Sequence, residues 1–337
     1  MPYTVDLVLS GLRLRHKRAH ALLVSDFVSW ARVEFLGAAA STGVLAGLVE
    51  PRTVDELAGD LGVTDRGLLG ALLHLGESVG ELAVDGDRWR LAGSRSRAMV
   101  DPAVDGLAAL PEEAVLYGTD VYRRLAERLR GGAPGDYLDD HGELVARTSR
   151  VAEPIFGPLI ADVVRAHRPA SVLEIGCGSG VNLRHVAAAS ADATGAGIDV
   201  DAGVVELARR NLDAWGLAGR FRAEHGDVRH LGDDMAGPWD LVLLFQNIYY
   251  FPVAERPELL RRLRSLAPAG VVVIATAVAG TGDPAAAHLD VVLRSTAGNT
   301  PLPTVAELRT DLAGAGFATV TARRLAPRQP LRAFVAR

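Results

Sequence analysis

Three glycines alternate with other residues directly after an apolar stretch that is typical of a buried strand. Residues 172–180 read VLEIGCGSG, and a helical pattern begins near Asn182. Glycines at alternate positions let backbone amides approach a ligand at the N-terminus of the following helix. The sequence therefore predicts a ligand-binding loop at Gly176, Gly178 and Gly180.

Asp199 supplies the second part of this signal. It ends the next apolar stretch and follows Gly180 by 19 residues. A carboxylate at that distance from a glycine loop can accept hydrogen bonds from the two hydroxyls of a ribose. The loop and Asp199 together predict a cofactor that contains a nucleoside.

Details of the loop separate the possible nucleoside cofactors. A dinucleotide loop has its third glycine at the sixth position, where this sequence has Val181, and a nucleoside-triphosphate loop has a lysine, which is absent here. Glu174, two residues before Gly176, would repel a pyrophosphate but can hold an ammonium group. The pattern favours a cofactor with a ribose and an amine but no phosphate.

Short apolar stretches alternate with helical segments from residue 169 onward. They predict strands at 171–175, 193–198, 220–225, 240–245 and 270–277, and helices at 182–189, 203–214 and 255–266. Strands spaced in this way by helices predict a parallel sheet that is covered on both faces. Two more strands, 317–322 and 331–335, follow each other without a helix, which predicts an antiparallel edge.

This C-terminal half resembles the class I S-adenosylmethionine-dependent methyltransferases in its glycine loop, in Asp199 and in the segment Gly226-Asp227-Val228. The resemblance implies an α/β fold with a Rossmann-like, doubly wound, seven-stranded sheet whose last strand is antiparallel. It implies S-adenosyl-L-methionine as the cofactor, with the adenine bound by Asp227 and by the backbone amide of Val228. The implied cofactor-binding residues are Glu174, Gly176, Gly178, Gly180, Asp199, Asp227, Val228 and Gln246.

The N-terminal part has the element order of a winged helix. Thr53 and Glu56 predict a capping box at a helix start, and Gly62 predicts the end of that helix. A second helix is expected from 64–65 to near 80. Strands at 82–84 and 89–91, separated by Asp85-Gly86, predict a hairpin with a type I′ turn.

A winged-helix-like domain precedes the catalytic fold in small-molecule methyltransferases of the natural-product and plant phenol type, where it dimerises and closes the acceptor pocket. The resemblance therefore implies three parts. Residues 1–100 would be a winged-helix-like dimerisation domain, 101–168 a helical connector contributing to the acceptor pocket, and 169–337 the cofactor-binding methyltransferase domain. We expect a homodimer that acts on a small molecule in secondary-metabolite biosynthesis.

Winged helices also occur in DNA-binding regulators. Between Thr53 and Ser78, however, five acidic residues stand against Arg66 alone, and the whole chain has a net charge of −5. Phosphate contact requires the opposite sign, so no nucleic-acid partner is expected. A transcriptional regulator is one alternative. The other is an enzyme of the same fold that cyclises or eliminates part of S-adenosylmethionine and releases methylthioadenosine.

Tyr249 and Tyr250, two of the residues that would act on the acceptor, follow the fourth predicted strand. Many O-methyltransferases of the resembled type have a histidine where this sequence has Tyr250. A phenol with a pKa of about 10 is a weak base at neutral pH, so C-, N- or O-methylation without the usual histidine is expected. The catalytic candidates are Tyr250, Tyr249 and His288, and the acceptor-binding candidates are Asn247, Arg130, His141 and Asn299.

Metal chemistry and membrane attachment are not expected. Related C-methyltransferases that act on α-keto acids have histidine metal ligands, and the matching positions here hold Gln246 and Asn299, which are weak ligands for transition metals. Cys177 is the only cysteine, which excludes a multi-cysteine zinc site. Because the sequence shows neither a long apolar stretch nor a signal-like start, we expect a cytoplasmic protein of about two domains.

Overall fold

The computed structural model describes residues 15–104, 106–232, 235–327 and 329–337. The chain divides into two compact units, one up to Leu116 and the other from Tyr117 to Arg337. Residues 1–14 of the expected first domain lie outside the described residues. The segment 101–168, expected to be a separate connector, is shared between the two units.

The first unit is mainly helical. In chain order its helices are α1 (Lys17–Ser41), α2 (Val44–Gly47), α3 (Val54–Leu61), α4 (Arg66–Ser78), α5 (Ser94–Met99) and α6 (Gly106–Glu113), with a hairpin of β1 (Leu82–Asp85) and β2 (Arg88–Leu91) between α4 and α5. Thr53 and Glu56 form the predicted capping box at the start of α3. Gly62, at φ 66°, ends that helix. The core of this unit includes Phe35, Leu57 and Leu73, which are fully buried.

The hairpin turn differs from the prediction. Asp85 pairs with Arg88, so Gly86 and Asp87 are the two central residues. Gly86 has φ 62°, whereas Asp87 is not among the left-handed residues. A type I′ turn requires positive φ at both positions, and a glycine at the first position alone is typical of type II′. The expected type I′ turn at Asp85-Gly86 is therefore wrong.

The second unit contains a seven-stranded sheet covered by helices. Its strands are β3 (Ser171–Ile175), β4 (Thr194–Asp199), β5 (Phe221–His225), β6 (Leu241–Phe245), β7 (Val271–Ala277), β8 (Val320–Arg324) and β9 (Leu331–Ala336). Its helices are α7 (Thr119–Arg123), α8 (Leu125–Arg128), α9 (Leu138–Ser149), α10 (Glu153–His167), α11 (Val181–Ala189), α12 (Ala202–Ala214), α13 (Arg256–Leu266), α14 (Pro284–Arg294) and α15 (Val305–Gly314).

The order of the strands in this sheet is β5-β4-β3-β6-β7-β9-β8. The first five strands of the sheet are parallel, and β9 runs antiparallel to both β7 and β8. This confirms the predicted doubly wound sheet with an antiparallel last strand. All residues of β6 and β7 are buried, as expected for central strands covered on both faces.

The direction of winding reverses at β3, which pairs with β4 on one side and with β6 on the other. The carboxyl ends of these three strands therefore lie side by side. Ligands of open α/β sheets bind at such a reversal point. The sheet thus brings the glycine loop, Asp199 and the segment after β6 to one edge.

In the described part of the chain, no helix has both the length and the apolar character needed to cross a membrane.

Candidate active site

The glycine loop after β3 has left-handed backbone at all three glycines. Gly176, Gly178 and Gly180 have φ of 64°, 53° and 77°. A Cβ at Gly178 would meet no atom within 4 Å, so the backbone there faces open space. The loop can therefore let a ligand approach its main chain closely, which a side chain would prevent.

Glu174, near the end of β3, is buried, and one of its oxygens lacks a partner. Its Oε1 accepts a hydrogen bond of 2.7 Å from Asn182 Nδ2. Its Oε2 and the Oδ1 of Asn182 are both buried without a hydrogen-bond partner. Burial raises the pKa of the Glu174 carboxyl to about 8, and the charge of Asp199 adds to the shift. Two buried acceptors without a donor suit a cationic group such as an ammonium.

Asp199, at the end of β4, supports the loop and faces the same edge. Its Oδ2 accepts 3.0 Å from the amide of Gly178, and its Oδ1 accepts 3.1 Å from the amide of Asp201. Burial raises the pKa of the Asp199 carboxyl, and these two amide hydrogen bonds oppose the shift. The carboxylate is thus held in one orientation beside the loop.

Asp227 follows β5, as predicted, but its carboxylate is bound by a neighbour. Arg229 Nε donates to both Asp227 oxygens at 3.0 and 2.9 Å, and Arg229 also contacts Glu255 at 3.3 Å. Burial would raise the pKa of Asp227, but the hydrogen bonds from Arg229 hold it below its ordinary value. Val228 beside it is buried.

Gln246 and Asn247 follow β6 and both point to backbone groups. Gln246 has φ 55°, and its Oε1 accepts 2.8 Å from the amide of Ala277. Asn247 Nδ2 donates to the carbonyls of Ile175 at 2.8 Å and Gly176 at 3.0 Å. Both amide side chains thus connect strand ends within the site.

Tyr249 and Tyr250 lie in a 3-10 turn, Ile248–Tyr250, that begins directly after Asn247. We call this segment the tyrosine turn. The rings of the two tyrosines meet edge to face with centroids 4.8 Å apart. Thr300 holds the turn through its amide, which donates 2.8 Å to the Tyr249 carbonyl. The Oδ1 of Asn299, the residue before Thr300, is buried without a hydrogen-bond partner.

The structure places His288 and Arg130 on the surface. His288 is an exposed residue of α14 whose Nδ1 lies 2.7 Å from the hydroxyl of Tyr122. Arg130 is exposed and donates 2.7 Å to the carbonyl of Ala126 in α8. The hydrogen bonds of these two residues are thus with Tyr122 and Ala126, and their roles at the acceptor stay predictions.

His141 lies within α9 at a kink, with φ −135° and ψ 21°. Its ring stacks on Tyr117 with centroids 5.8 Å apart, and Tyr117 stacks on Tyr137 at 5.4 Å. At the next residue, Gly142, a Cβ would collide with the Asp201 carboxylate. The helix that carries His141 therefore lies close to Asp201, in the loop after β4.

The sequence did not indicate a role for three residues of the site, Asn182, Asn211 and Arg229. Asn211 Nδ2, on α12, donates 2.9 Å to the carbonyl of Ser179 in the glycine loop. The contacts of Asn182 and Asn211 join residues 8 and 32 positions apart, and an asparagine in a helix carries no local signal for such a contact. Arg229 binds Asp227 two residues away, but its residue type alone does not indicate that role. Among the described residues, no group of three or more His, Cys, Asp or Glu side chains could hold a metal ion.

Together, the residues present suit S-adenosylmethionine. The open backbone at Gly178, the buried unpartnered Oε2 of Glu174 and the oriented carboxylate of Asp199 offer places for the methionine part, its ammonium and the ribose.

Comparison with known families matches residues 172–270 to a methyltransferase domain. The C-terminal unit therefore contains a domain of the S-adenosylmethionine-dependent methyltransferase class, which confirms the predicted class. Release factor glutamine methyltransferase of Chlorobaculum tepidum is 32% identical over 136 residues, or 39% of this chain and 46% of that protein. The chain thus spans less than half of this curated relative.

Solved structures share the fold over nearly the whole chain. The structure of a mitomycin 7-O-methyltransferase has a TM-score of 0.77 at 21% identity and covers 95% of this chain and 98% of that one. A N,N-8-amino-8-demethyl-D-riboflavin dimethyltransferase from Streptomyces davawensis has a TM-score of 0.70 at 24% identity and covers 96% of this chain and 99% of that one. These similarities confirm the predicted fold class.

Proposed function

We propose that this protein transfers a methyl group from S-adenosylmethionine to a small-molecule acceptor in secondary-metabolite biosynthesis. The observation that carries the proposal is the buried, unpartnered Oε2 of Glu174 beside an open glycine loop and an oriented Asp199. The solved structures of similar fold are named for methylation of small molecules at oxygen or nitrogen. The cytoplasmic location expected from the sequence belongs to the same proposal.

S-adenosylmethionine, when bound, supplies a methyl group that its sulfonium already activates for displacement. The protein must then bind and orient the cofactor and the acceptor and exclude water, and it does not need to activate the methyl group. Glu174 and Asn182 would hold the ammonium, Gly176 and Gly180 would shape the loop, and Asp199 would accept from the ribose hydroxyls. Asp227 and Val228 would contact the adenine, with Arg229 holding the Asp227 carboxylate in place.

The acceptor would lie beside the tyrosine turn. Tyr249 and Tyr250 offer aromatic faces and hydroxyls there, and Asn299 offers a buried carbonyl oxygen that would accept from an N–H or O–H of the acceptor. A carbon, nitrogen or oxygen nucleophile that is already electron-rich fits a site with tyrosine in place of the usual histidine. His141, His288 and Arg130 are proposed as further acceptor contacts on the same unit.

The experiment that tests this function is titration calorimetry with S-adenosylhomocysteine. Binding in the micromolar range is expected, with a loss of about 100-fold in Asp199→Asn. The ribose would lose a charged acceptor, and the asparagine could accept from only one of the two backbone amides that Asp199 binds. The control is Asp201→Asn, because asparagine can still cap α12. No binding by the wild type would overturn the proposal.

An acceptor screen then identifies the reaction by mass spectrometry. Formation of S-adenosylhomocysteine together with a product 14 mass units (about one CH₂) heavier than the acceptor is the expected result. Release of methylthioadenosine would instead select the non-methylating alternative.

We further propose that the protein is a homodimer formed through its N-terminal unit. Along α1 the apolar side chains of Leu23, Phe27 and Trp30, spaced as i, i+4 and i+7, are 68%, 63% and 53% exposed. Soluble monomers rarely expose so continuous an apolar face, so a second copy is its proposed cover. The three segments keep their proposed roles: dimerisation for 1–100, acceptor contacts for 101–168 and cofactor binding for 169–337.

A further inference from the structure

Asn247 and Asp199 contact the glycine loop from opposite sides: Asn247 donates to main-chain carbonyls, and Asp199 accepts from the amide of Gly178. The Asn247 carboxamide donates to the carbonyls of Ile175 at 2.8 Å and Gly176 at 3.0 Å. Opposite, the amide of Cys177 donates 2.9 Å to Ile198, next to Asp199. The loop after the central strand is therefore fixed from both neighbouring strands.

The chemistry of this contact requires a neutral carboxamide. Two successive carbonyls need two donor hydrogens from one side, and the –NH₂ of asparagine supplies both on a single atom. A carboxylate would direct an oxygen at those carbonyls, close to the buried Glu174. Gly176 fits the same requirement, because a Cβ there would collide with the Asn247 carboxamide.

The backbone of Asn247 belongs to a different part of the site. Its carbonyl accepts 3.0 Å from the amide of Tyr250, so Asn247 begins the tyrosine turn. The preceding residue, Gln246, is tied to β7 by hydrogen bonds with Ala275 and Ala277. One residue thus joins the cofactor loop through its side chain to the acceptor side through its main chain.

We propose that Asn247 is a positioning residue that couples the glycine loop to the tyrosine turn and so fixes the separation of cofactor and acceptor. The inference rests on the proposed function and reassigns Asn247, which the sequence suggested as an acceptor ligand. In-line methyl transfer depends on alignment of the reacting atoms to within a fraction of an ångström. A rigid link between the two reactant sites serves that alignment.

Asn211 provides a matched control. Its Nδ2 also donates to a carbonyl of the glycine loop, that of Ser179 at 2.9 Å, but Asn211 lies on α12 and not in the segment that begins the tyrosine turn. Asn211→Asp therefore removes comparable support from the loop without cutting the link to the turn.

Hydrogen exchange measured by mass spectrometry tests the link without a known acceptor. In the wild type, saturating S-adenosylhomocysteine is expected to slow exchange both in the glycine loop, 176–181, and in the tyrosine turn, 248–251. In Asn247→Asp, binding weakens by about tenfold and slowing persists only in the loop. In Asn211→Asp, both segments still respond. Asn247→Ala, which adds no charge, gives the same pattern if the aspartate variant does not fold.

If ligand binding still slowed hydrogen exchange in the tyrosine turn of Asn247→Asp and Asn247→Ala, the inference about Asn247 would be wrong, but the proposed function would stand. Equal loss of the response in Asn211→Asp would also overturn it, because Asn247 would then only support the loop. If the wild type does not bind S-adenosylhomocysteine, the proposed function fails and the inference fails with it.

Discussion

The Glu174 carboxyl makes cofactor binding and stability depend on pH. Its pKa is raised to about 8 by burial, so at pH 7 most of the free protein carries a proton there. A cation beside it favours the carboxylate, because opposite charges attract strongly at a buried site. Titration of S-adenosylhomocysteine at pH 7, in buffers of different ionisation enthalpy, should therefore show release of nearly one proton. In Glu174→Gln that release should be absent.

The same shift predicts how the stability of the free protein changes. The folded pKa lies above the unfolded value, so the contribution of neutral Glu174 is complete below about pH 4.5 and is lost as pH rises through about 8. Relative to Glu174→Gln, the wild type should lose about 4 kcal/mol of unfolding free energy by pH 8. Denaturant unfolding at pH 5 and 8 checks this, and parallel changes in the two proteins would contradict it.

Among individual residues, the sequence predicts those whose roles depend on neighbours at a fixed distance along the chain. The glycine loop and Asp199 lie at fixed distances along the chain, so their relation to a nucleoside can be read from spacing. The role of Asn247 cannot be predicted from spacing along the chain. The amide pattern after β6 suggests an acceptor ligand, but the side chain contacts carbonyls 71 and 72 residues earlier. Only the strand order brings them together.

The approach of α9 to the loop after β4 depends on Gly142. A Cβ there would collide with Asp201, whose carboxylate caps α12 through the amides of Gly203 and Val204. Alanine normally stabilises a helix by about 1 kcal/mol relative to glycine. Gly142→Ala should instead lower the unfolding free energy by about 1–2 kcal/mol, because the packed carboxylate cannot move without losing its cap. Thermal unfolding measures the difference.

Gly70 gives the matched comparison, because it lies inside α4 and a Cβ there would meet no atom within 4 Å. Gly70→Ala should raise the unfolding free energy, whereas Gly142→Ala should lower it and also weaken S-adenosylhomocysteine binding. A stabilising Gly142→Ala would mean that α9 does not pack on Asp201.

The sequence predicts the bounds of a helix or strand well where burial determines them. It predicts them poorly where they depend on contacts with a distant part of the chain. Buried strands are continuous apolar runs, so β3 to β7 begin and end within one residue of their expected bounds. The hairpin turn depends on the pairing of Asp85 with Arg88, which side-chain types did not reveal. Residues 101–116 belong to the first unit and 117–168 to the second, where α9 packs on α12, and no pattern in 101–168 indicates that partner.

The proposed dimer depends on the exposed apolar face of α1. If a second copy covers Leu23, Phe27 and Trp30, light scattering after gel filtration should give twice the chain mass of 35.6 kDa. A double variant, Leu23→Glu with Phe27→Glu, should give the single-chain mass, because two charges would be buried in an apolar contact without partners. Leu68→Glu, at an equally exposed leucine on α4 of the same unit, should stay dimeric. S-adenosylhomocysteine binding should survive in both variants, since the cofactor residues lie in the other unit, and a wild type of single-chain mass would contradict the dimer.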